Sequence, residues 1–136
     1  MMLVIDEFVR DMVSDDQSVE ALGVEIVSAT NGAAVARMTV APTAANGHGI
    51  CHGGIVYFLA DTAFALAANS LMPGTATADA SIVYFSPARV GEVLIAEAQV
   101  RHTTRRQSLV DVSVRSGERL VAEYRGKGAL LPKPPG

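Results

Sequence analysis

Tryptophan is absent and cysteine occurs once, as Cys51, in a chain of 136 residues. A single thiol excludes an intrachain disulfide and fits a reducing compartment, so the expected location is the cytoplasm. Aromatic residues make up only 5% of the chain, and its 11 basic and 14 acidic residues are scattered rather than blocked. Without a basic stripe or a platform for stacking bases, nucleic acid is not an expected partner. The N-terminal stretch has no basic n-region and no small-residue cleavage site, and it carries Asp6, Glu7 and Asp11. It does not read as a signal peptide. His48, Cys51 and His52 lack a second ligand pair, so no metal site is expected. The glycines do not form G-x-G-x-x-G within a βαβ unit, which removes a dinucleotide site.

What the chain has in quantity is apolar: 49% of its residues are hydrophobic, enough for one domain over 1–136 with a real core. Ile55 to Met72 is apolar or small apart from Asp61, Thr62, Asn69 and Ser70. Its length sits at the lower edge for a membrane span. Asp61 near the middle is costly in lipid, and no Lys or Arg anchors either end. The segment therefore reads as a helix buried on nearly all sides, with no membrane partner.

Leu3, Val4, Phe8, Met12 and Val13 form a helical stripe, so residues 1–16 read as an N-terminal helix closed by Asp15, Asp16 and Ser18. Leu22 to Thr30 reads as a strand, Asn31-Gly32 as a hairpin turn, and Ala33 to Val40 as the returning strand. Pro73-Gly74 ends the long helix. Strands are expected at 76–85, 92–103, 107–116 and 119–130, able to pair as an antiparallel meander, with 132–136 a frayed tail. A sheet curved around an apolar helix buries that helix, and the fold class is α+β.

Just before the helix, Asn46 to Gly54 reads N-G-H-G-I-C-H-G-G, with Gly47, Gly49, Gly53 and Gly54 among nine residues. Glycines at this density let the backbone approach a ligand closely. A helix starting near Gly53 or Gly54 leaves the Gly53 N–H free, in positive potential, to stabilise the oxyanion of a carbonyl under attack. Asp61 can supply the nucleophile or general base, and Asn46 can hold a water or the carbonyl, which suits hydrolysis of an activated acyl bond. The other reading of Asp61 is a structural carboxylate satisfied by backbone N–H groups, Asn46 or Thr62. His52 reads as a loop histidine fixing backbone, and Cys51-His52 is not a dyad, because neighbouring side chains diverge.

Eight residues separate Gly53 from Asp61, about 12 Å of helix at 1.5 Å per residue. One acyl carbon cannot lie within about 3 Å of both in one chain. If both act on it, Asp61 comes from a second copy, and a two-fold dimer provides two composite sites.

These residues closely resemble the hotdog-fold acyl-CoA thioesterases of the phenylacetic-acid-degradation (PaaI-like) type. The matching words are Asn46-Gly47-His48-Gly49, His52-Gly53-Gly54, Ala60-Asp61-Thr62-Ala63 and Asp79-x-x-Ile82-x-Tyr84-Phe85-x-Pro87-Ala88. The resemblance covers about residues 4–131. It implies a six-stranded antiparallel sheet around one long central helix, dimers sharing a continuous sheet, and usually homotetramers. It implies Asp61 as the catalytic carboxylate and the N–H of Gly53 as the donor to the thioester carbonyl, contributed by the partner chain. Asn46 and His52 would line the same pocket, beside Gly54 and Thr62, and Thr77 would help to place water. No cofactor is implied, since coenzyme A is part of the substrate. Arg89, Arg105 and Arg106 are the candidate cations for its phosphates, with solvated turn charges as the other reading. Thr104-Arg105-Arg106-Gln107 lacks the glycine that the family usually carries beside its basic residue. The implied substrate is an acyl-CoA with a phenylacetyl-type or medium aliphatic group. A non-catalytic acyl-CoA binding module is the alternative, and no dehydratase His/acid word is present.

Overall fold

The computed structural model describes residues 4–132. Met1, Met2 and Leu3 of the expected first helix, and 133–136 of the expected tail, lie outside the described residues. Helix α1 (Glu7–Ser14) is opened by Asp6, whose side chain accepts from the Val9 N–H at 3.2 Å. A second helix then departs from expectation. Asp16 accepts from the Ser18 and Val19 N–H groups at 3.0 and 3.1 Å and starts α2 (Gln17–Ala21). The Asp-x-Ser run therefore opens a helix rather than only closing one, because a short acceptor side chain satisfies the free donors of a first turn. The following strand starts later than expected for the same reason, as β1 (Glu25–Thr30).

Asn31 (φ 52°) and Gly32 (φ 82°) both occupy the left-handed region, as a two-residue type I′ turn requires. They join β1 to β2 (Ala33–Thr39) with Thr30 opposite Ala33. The remaining elements are α3 (Gly53–Leu71), β3 (Thr75–Tyr84), β4 (Val93–Thr103), β5 (Gln107–Ser116) and β6 (Arg119–Leu130). All six strands form one antiparallel sheet in the order β1-β2-β4-β5-β6-β3.

The expected four-strand meander is corrected by this order. Only β4-β5-β6 run as a meander, and β3 pairs with β6 at the far edge. The exit from α3 into β3 is pinned by one side chain. Asn69, 1% exposed, accepts from the Gly74 and Thr75 N–H groups at 2.9 and 3.0 Å. Its amide donates to the Ala65 and Thr75 carbonyls at 2.9 and 3.0 Å. A fully satisfied buried amide of this kind fixes where the chain leaves the helix. From that exit β3 pairs antiparallel with β6, with Thr75 opposite Leu130, on the side of β6 away from β5.

The inner face of the sheet alternates as a half-buried sheet should, through Ala36 and Met38, Leu94 and Ala96, Val110, Val112 and Val114, and Ala122 and Tyr124. Against it α3 buries Val56, Leu59, Ala60, Ala63, Phe64, Leu66, Ala67 and Ala68. Its alanines let helix and sheet approach closely, and Phe64 reaches down over Gly126 and Gly128. A Cβ at those positions would meet the Phe64 ring at 2.9 and 3.2 Å. By length and composition α3 could cross a membrane, yet half of its most apolar window is already buried within the chain. Tyr57, Phe58, Asp61 and Ala65 are only half-buried.

Candidate active site

The glycine loop is held by its own asparagine. Asn46 Oδ1 accepts from the His48 N–H at 2.9 Å and the Ile50 N–H at 3.4 Å, and Gly49 (φ 76°) donates back to the Asn46 carbonyl at 3.0 Å. The acceptor end of Asn46 is thereby spent on the turn. Its amide has no partner among the described residues. The side chain lines a cleft of about 440 Å³ together with Gly53, Tyr84 and Phe85.

His52 is the N-cap of α3, and Nδ1 accepts from the Gly54 N–H at 2.9 Å. Accepting at Nδ1 leaves the proton of the neutral ring on Nε2. The carbonyl of the same peptide unit, that of Gly53, accepts from the Tyr84 hydroxyl at 2.6 Å. The first peptide of the helix is thus gripped at both ends, and the Gly53 N–H, one residue earlier, is left without an acceptor among the described residues. It is the free donor that a helix start offers to an oxyanion. A side chain at Gly53 would place its Cβ 3.2 Å from Cζ of Tyr84.

Two turns further along α3, Asp61 is half-buried between helix and sheet. Its Oδ1 accepts from the Tyr124 hydroxyl at 2.5 Å and from Thr77 Oγ1 at 3.1 Å. Asn46 and Thr62 do not satisfy it. Asn46 stays in the loop, and the Thr62 hydroxyl donates to the Phe58 carbonyl of its own helix at 2.7 Å. Thr77 faces Asp61 in phase with the buried Thr75, and a β-bulge follows it. Thr77 pairs with Gly128 and Asp79 with Lys127, so Ala78 is the extra residue. An extra residue reverses the in-out alternation. Thr77 before the bulge and Tyr84 after it consequently face the helix together.

Tyr124 is absent from the candidate residues of the sequence. The available signal was its phase: Ala122, Tyr124, Gly126 and Gly128 alternate as buried positions along β6, and a buried tyrosine needs a partner for its hydroxyl. Burial first, and then the hydrogen bond to Asp61, push the Tyr124 phenol far above its ordinary value, so it stays a donor. Tyr57, one turn from Asp61, is raised mainly by burial and then by the charge of Asp61, and its ring meets Tyr124 edge-on at 5.6 Å. The chain has only three tyrosines. All of them line the seam between Gly53 and Asp61.

The arginines separate. Arg89 forms a backbone bridge with Ile50 and lies exposed beside the glycine loop. Arg105 and Arg106 are exposed in the β4–β5 turn, where Arg106 donates to the Leu130 carbonyl at 3.3 Å. Leu130 pairs with Thr75, so this turn lies by the end of α3, away from Gly53.

A buried apolar helix wrapped by this sheet, with a free N–H at its start and a carboxylate two turns on, defines an acyl-transfer scaffold of the hotdog type. Residues 48–123, more than half of the chain, match the model of the thioesterase superfamily. The chain belongs to that superfamily, in its PaaI-like branch, and is a thioester hydrolase. It is 40% identical to the acyl-coenzyme A thioesterase PaaI of Escherichia coli over 117 residues, covering 85% of this chain and 84% of that protein. The structure of the E. coli PaaI protein superposes with a TM-score of 0.88 over 93% of this chain and 92% of that one, at 36% identity. A Streptococcus mutans protein solved with acetyl CoA, 25% identical, matches with a TM-score of 0.75 over 82% of this chain and 91% of that one.

Proposed function

We propose that the chain hydrolyses acyl-CoA thioesters carrying an aryl-acetyl or medium aliphatic acyl group, at a site assembled from two copies. The observation that carries this reading is the free Gly53 N–H with Asp61 about 12 Å further along the same helix, at 1.5 Å per residue. The N–H of one chain polarises the thioester carbonyl, and Asp61 of the partner subunit acts on its carbon. Acting as a base, Asp61 takes a proton from water as the water oxygen bonds to the carbonyl carbon. The C–S bond then breaks and the proton passes to the CoA thiolate. Acting as a nucleophile, it forms a mixed anhydride and expels the thiolate, and water then cleaves the anhydride. No cofactor is required for either route.

The sheet supports the two-copy reading. Strand β3 is an edge strand, and Val83, Tyr84 and Phe85 at its end are 55%, 47% and 60% exposed. A long edge with apolar side chains invites pairing with another copy. A dimer across this edge, and a tetramer of such dimers, is the proposed assembly, in the cytoplasm. The acyl class draws support from the E. coli relative, an acyl-coenzyme A thioesterase from the phenylacetic acid degradation operon. It draws further support from a hollow of about 220 Å³ beside Asp61, walled by Met12, Val13, Val19, Phe58 and Leu66. Asn46 is assigned to the thioester carbonyl or its water through the free amide, and Arg89 to a CoA phosphate.

Two measurements test the proposal. Steady-state kinetics over phenylacetyl, hydroxyphenylacetyl and C4 to C12 acyl-CoAs should give the highest kcat/KM to an aryl-acetyl or medium-chain thioester. Mixing Asp61→Asn chains with Gly53→Val chains under subunit exchange should restore activity that neither parent has. Absence of recovery in verified heterodimers counts against a shared site.

A further inference from the structure

The two oxygens of Asp61 are treated unequally. Oδ1 accepts both the Tyr124 hydroxyl at 2.5 Å and Thr77 Oγ1 at 3.1 Å, while Oδ2 has no donor among the described residues. A distance of 2.5 Å is at the short end for a hydroxyl on a carboxylate, the strong class of such bonds. The donor is rigid. Tyr124 is 2% exposed, with its ring edge-on to Tyr57 at 5.6 Å and tilted against Phe64 at 5.9 Å. The strand has also been left bare beneath it. A Cβ at Gly126 would stand 2.9 Å from both Cε1 and the hydroxyl of Tyr124, so the ring lies along β6 over a position with no side chain.

We propose that Tyr124 is a positioning residue for Asp61: by taking Oδ1 it orients the carboxylate plane and presents Oδ2 to the thioester carbonyl or its water. The inference rests on Asp61 acting on the thioester. Rotation of a carboxylate about its last bond is broad and roughly two-fold. Displacement of a reacting group by about 1 Å costs on the order of a hundredfold in rate. One rigid donor removes that freedom, and Thr77 on the same oxygen sets the tilt. Gly126 acts at one remove, by admitting the ring.

The test is Tyr124→Phe, which keeps the ring and deletes one oxygen, assayed with an acyl-CoA the wild type hydrolyses. The expected result is a fall in kcat on the order of tenfold to a hundredfold with KM within about twofold, the signature of lost transition-state geometry rather than lost binding. In an Asp61→Asn background the same change should alter the residual rate by less than about twofold, since coupled residues are not additive. An unchanged kcat in the wild-type background, or an equal loss in both backgrounds, overturns the proposal. If Asp61→Asn collapses turnover while Tyr124→Phe is silent, only this inference fails. If Asp61→Asn keeps the wild-type rate, the assignment of Asp61 fails with it. Should Tyr124→Phe not fold, proton NMR of the wild type replaces it. A slowly exchanging downfield hydroxyl proton that disappears in Asp61→Asn is expected, and its absence from the wild type overturns the contact itself.

Discussion

The start of α3 and its middle carry the two halves of the candidate site, and they are built in opposite ways. At Gly53 the arrangement is largely local. His52 caps a donor two residues away and the loop is tied by Asn46 to donors two and four residues on, while the Tyr84 hydroxyl and the backbone of Ala88 and Arg89 come from a distant segment. At Asp61 nothing is local. Its two donors lie 16 and 63 residues away, on β3 and β6. The comparison teaches that a backbone donor can be set up largely by capping and turn chemistry, whereas a carboxylate in a half-buried place needs the sheet. A mutation at the first half should therefore act through helix geometry, and one at the second through the side chains that surround a charge.

The sharpest break in the comparison is Asp61→Asn. It preserves shape and removes the charge, so kcat should fall by about 10² to 10⁴, the usual range for a general base. Affinity for a non-hydrolysable acyl-CoA analogue, measured by calorimetry, should survive. At the other half, Gly53→Ala keeps the donor but forces a Cβ to 3.2 Å from the Tyr84 ring. A loss of about 10² to 10³ in kcat is expected if the N–H is displaced from the oxyanion position. A kcat unchanged in stopped assays would remove that donor from the mechanism. Tyr84→Phe frees the Gly53 carbonyl while leaving the ring in place, and should cost about tenfold, equivalent to one hydrogen bond of roughly 1.4 kcal/mol. The smallest effect is expected from His52. Its replacement by alanine removes a cap and should lower unfolding stability by about 1 kcal/mol, read by urea denaturation. His52→Asn should restore most of that stability, because asparagine is itself a good cap. If His52→Asn restores the fold but not the rate, the imidazole does more than cap.

A further contrast sharpens the packing side. Phe64 fills the space over two glycines of β6, so Phe64→Ala should cost about 3 to 5 kcal/mol. Thr62→Val, at a hydroxyl already committed to its own helix carbonyl, should change neither stability nor kcat by more than a small factor. Parallel melts and rate assays on the two variants check both statements.

Much of the fold could be read before any coordinates. The Asn31-Gly32 turn, the start of the helix at Gly53, its end before Pro73-Gly74 and the ranges of the last four strands follow from glycine and proline chemistry and from periodicity. The short helix at Gln17–Ala21 was missed because Asp15, which closes one helix, and Asp16, which caps the next, look alike in sequence. Strand order was missed because alternation tells which face a residue takes but not which neighbour a strand takes. The candidate site divides in the same manner. Gly53, His52 and Asn46 come together as the loop predicts, Thr77 meets Asp61, Thr62 turns back to its helix, and Arg105 and Arg106 stand at the far end.

The amino-acid sequence by itself determined the superfamily, the buried helix, the free N–H at its start and the spacing that separates that donor from Asp61. The superfamily is legible through the resemblance of its motif words, and the other three rest on backbone turns, capping and rise per residue, all of which act over a few positions. Only the tertiary structure decided which groups hold the carboxylate. That choice required β3 to cross to the edge beside β6, Thr77 to fall in the inward phase of Thr75, and Gly126 to clear the way for Tyr124. Contacts between residues so far apart in the chain exist only when strand order, register and side-chain volume agree, and none of these is a property of any short stretch of sequence.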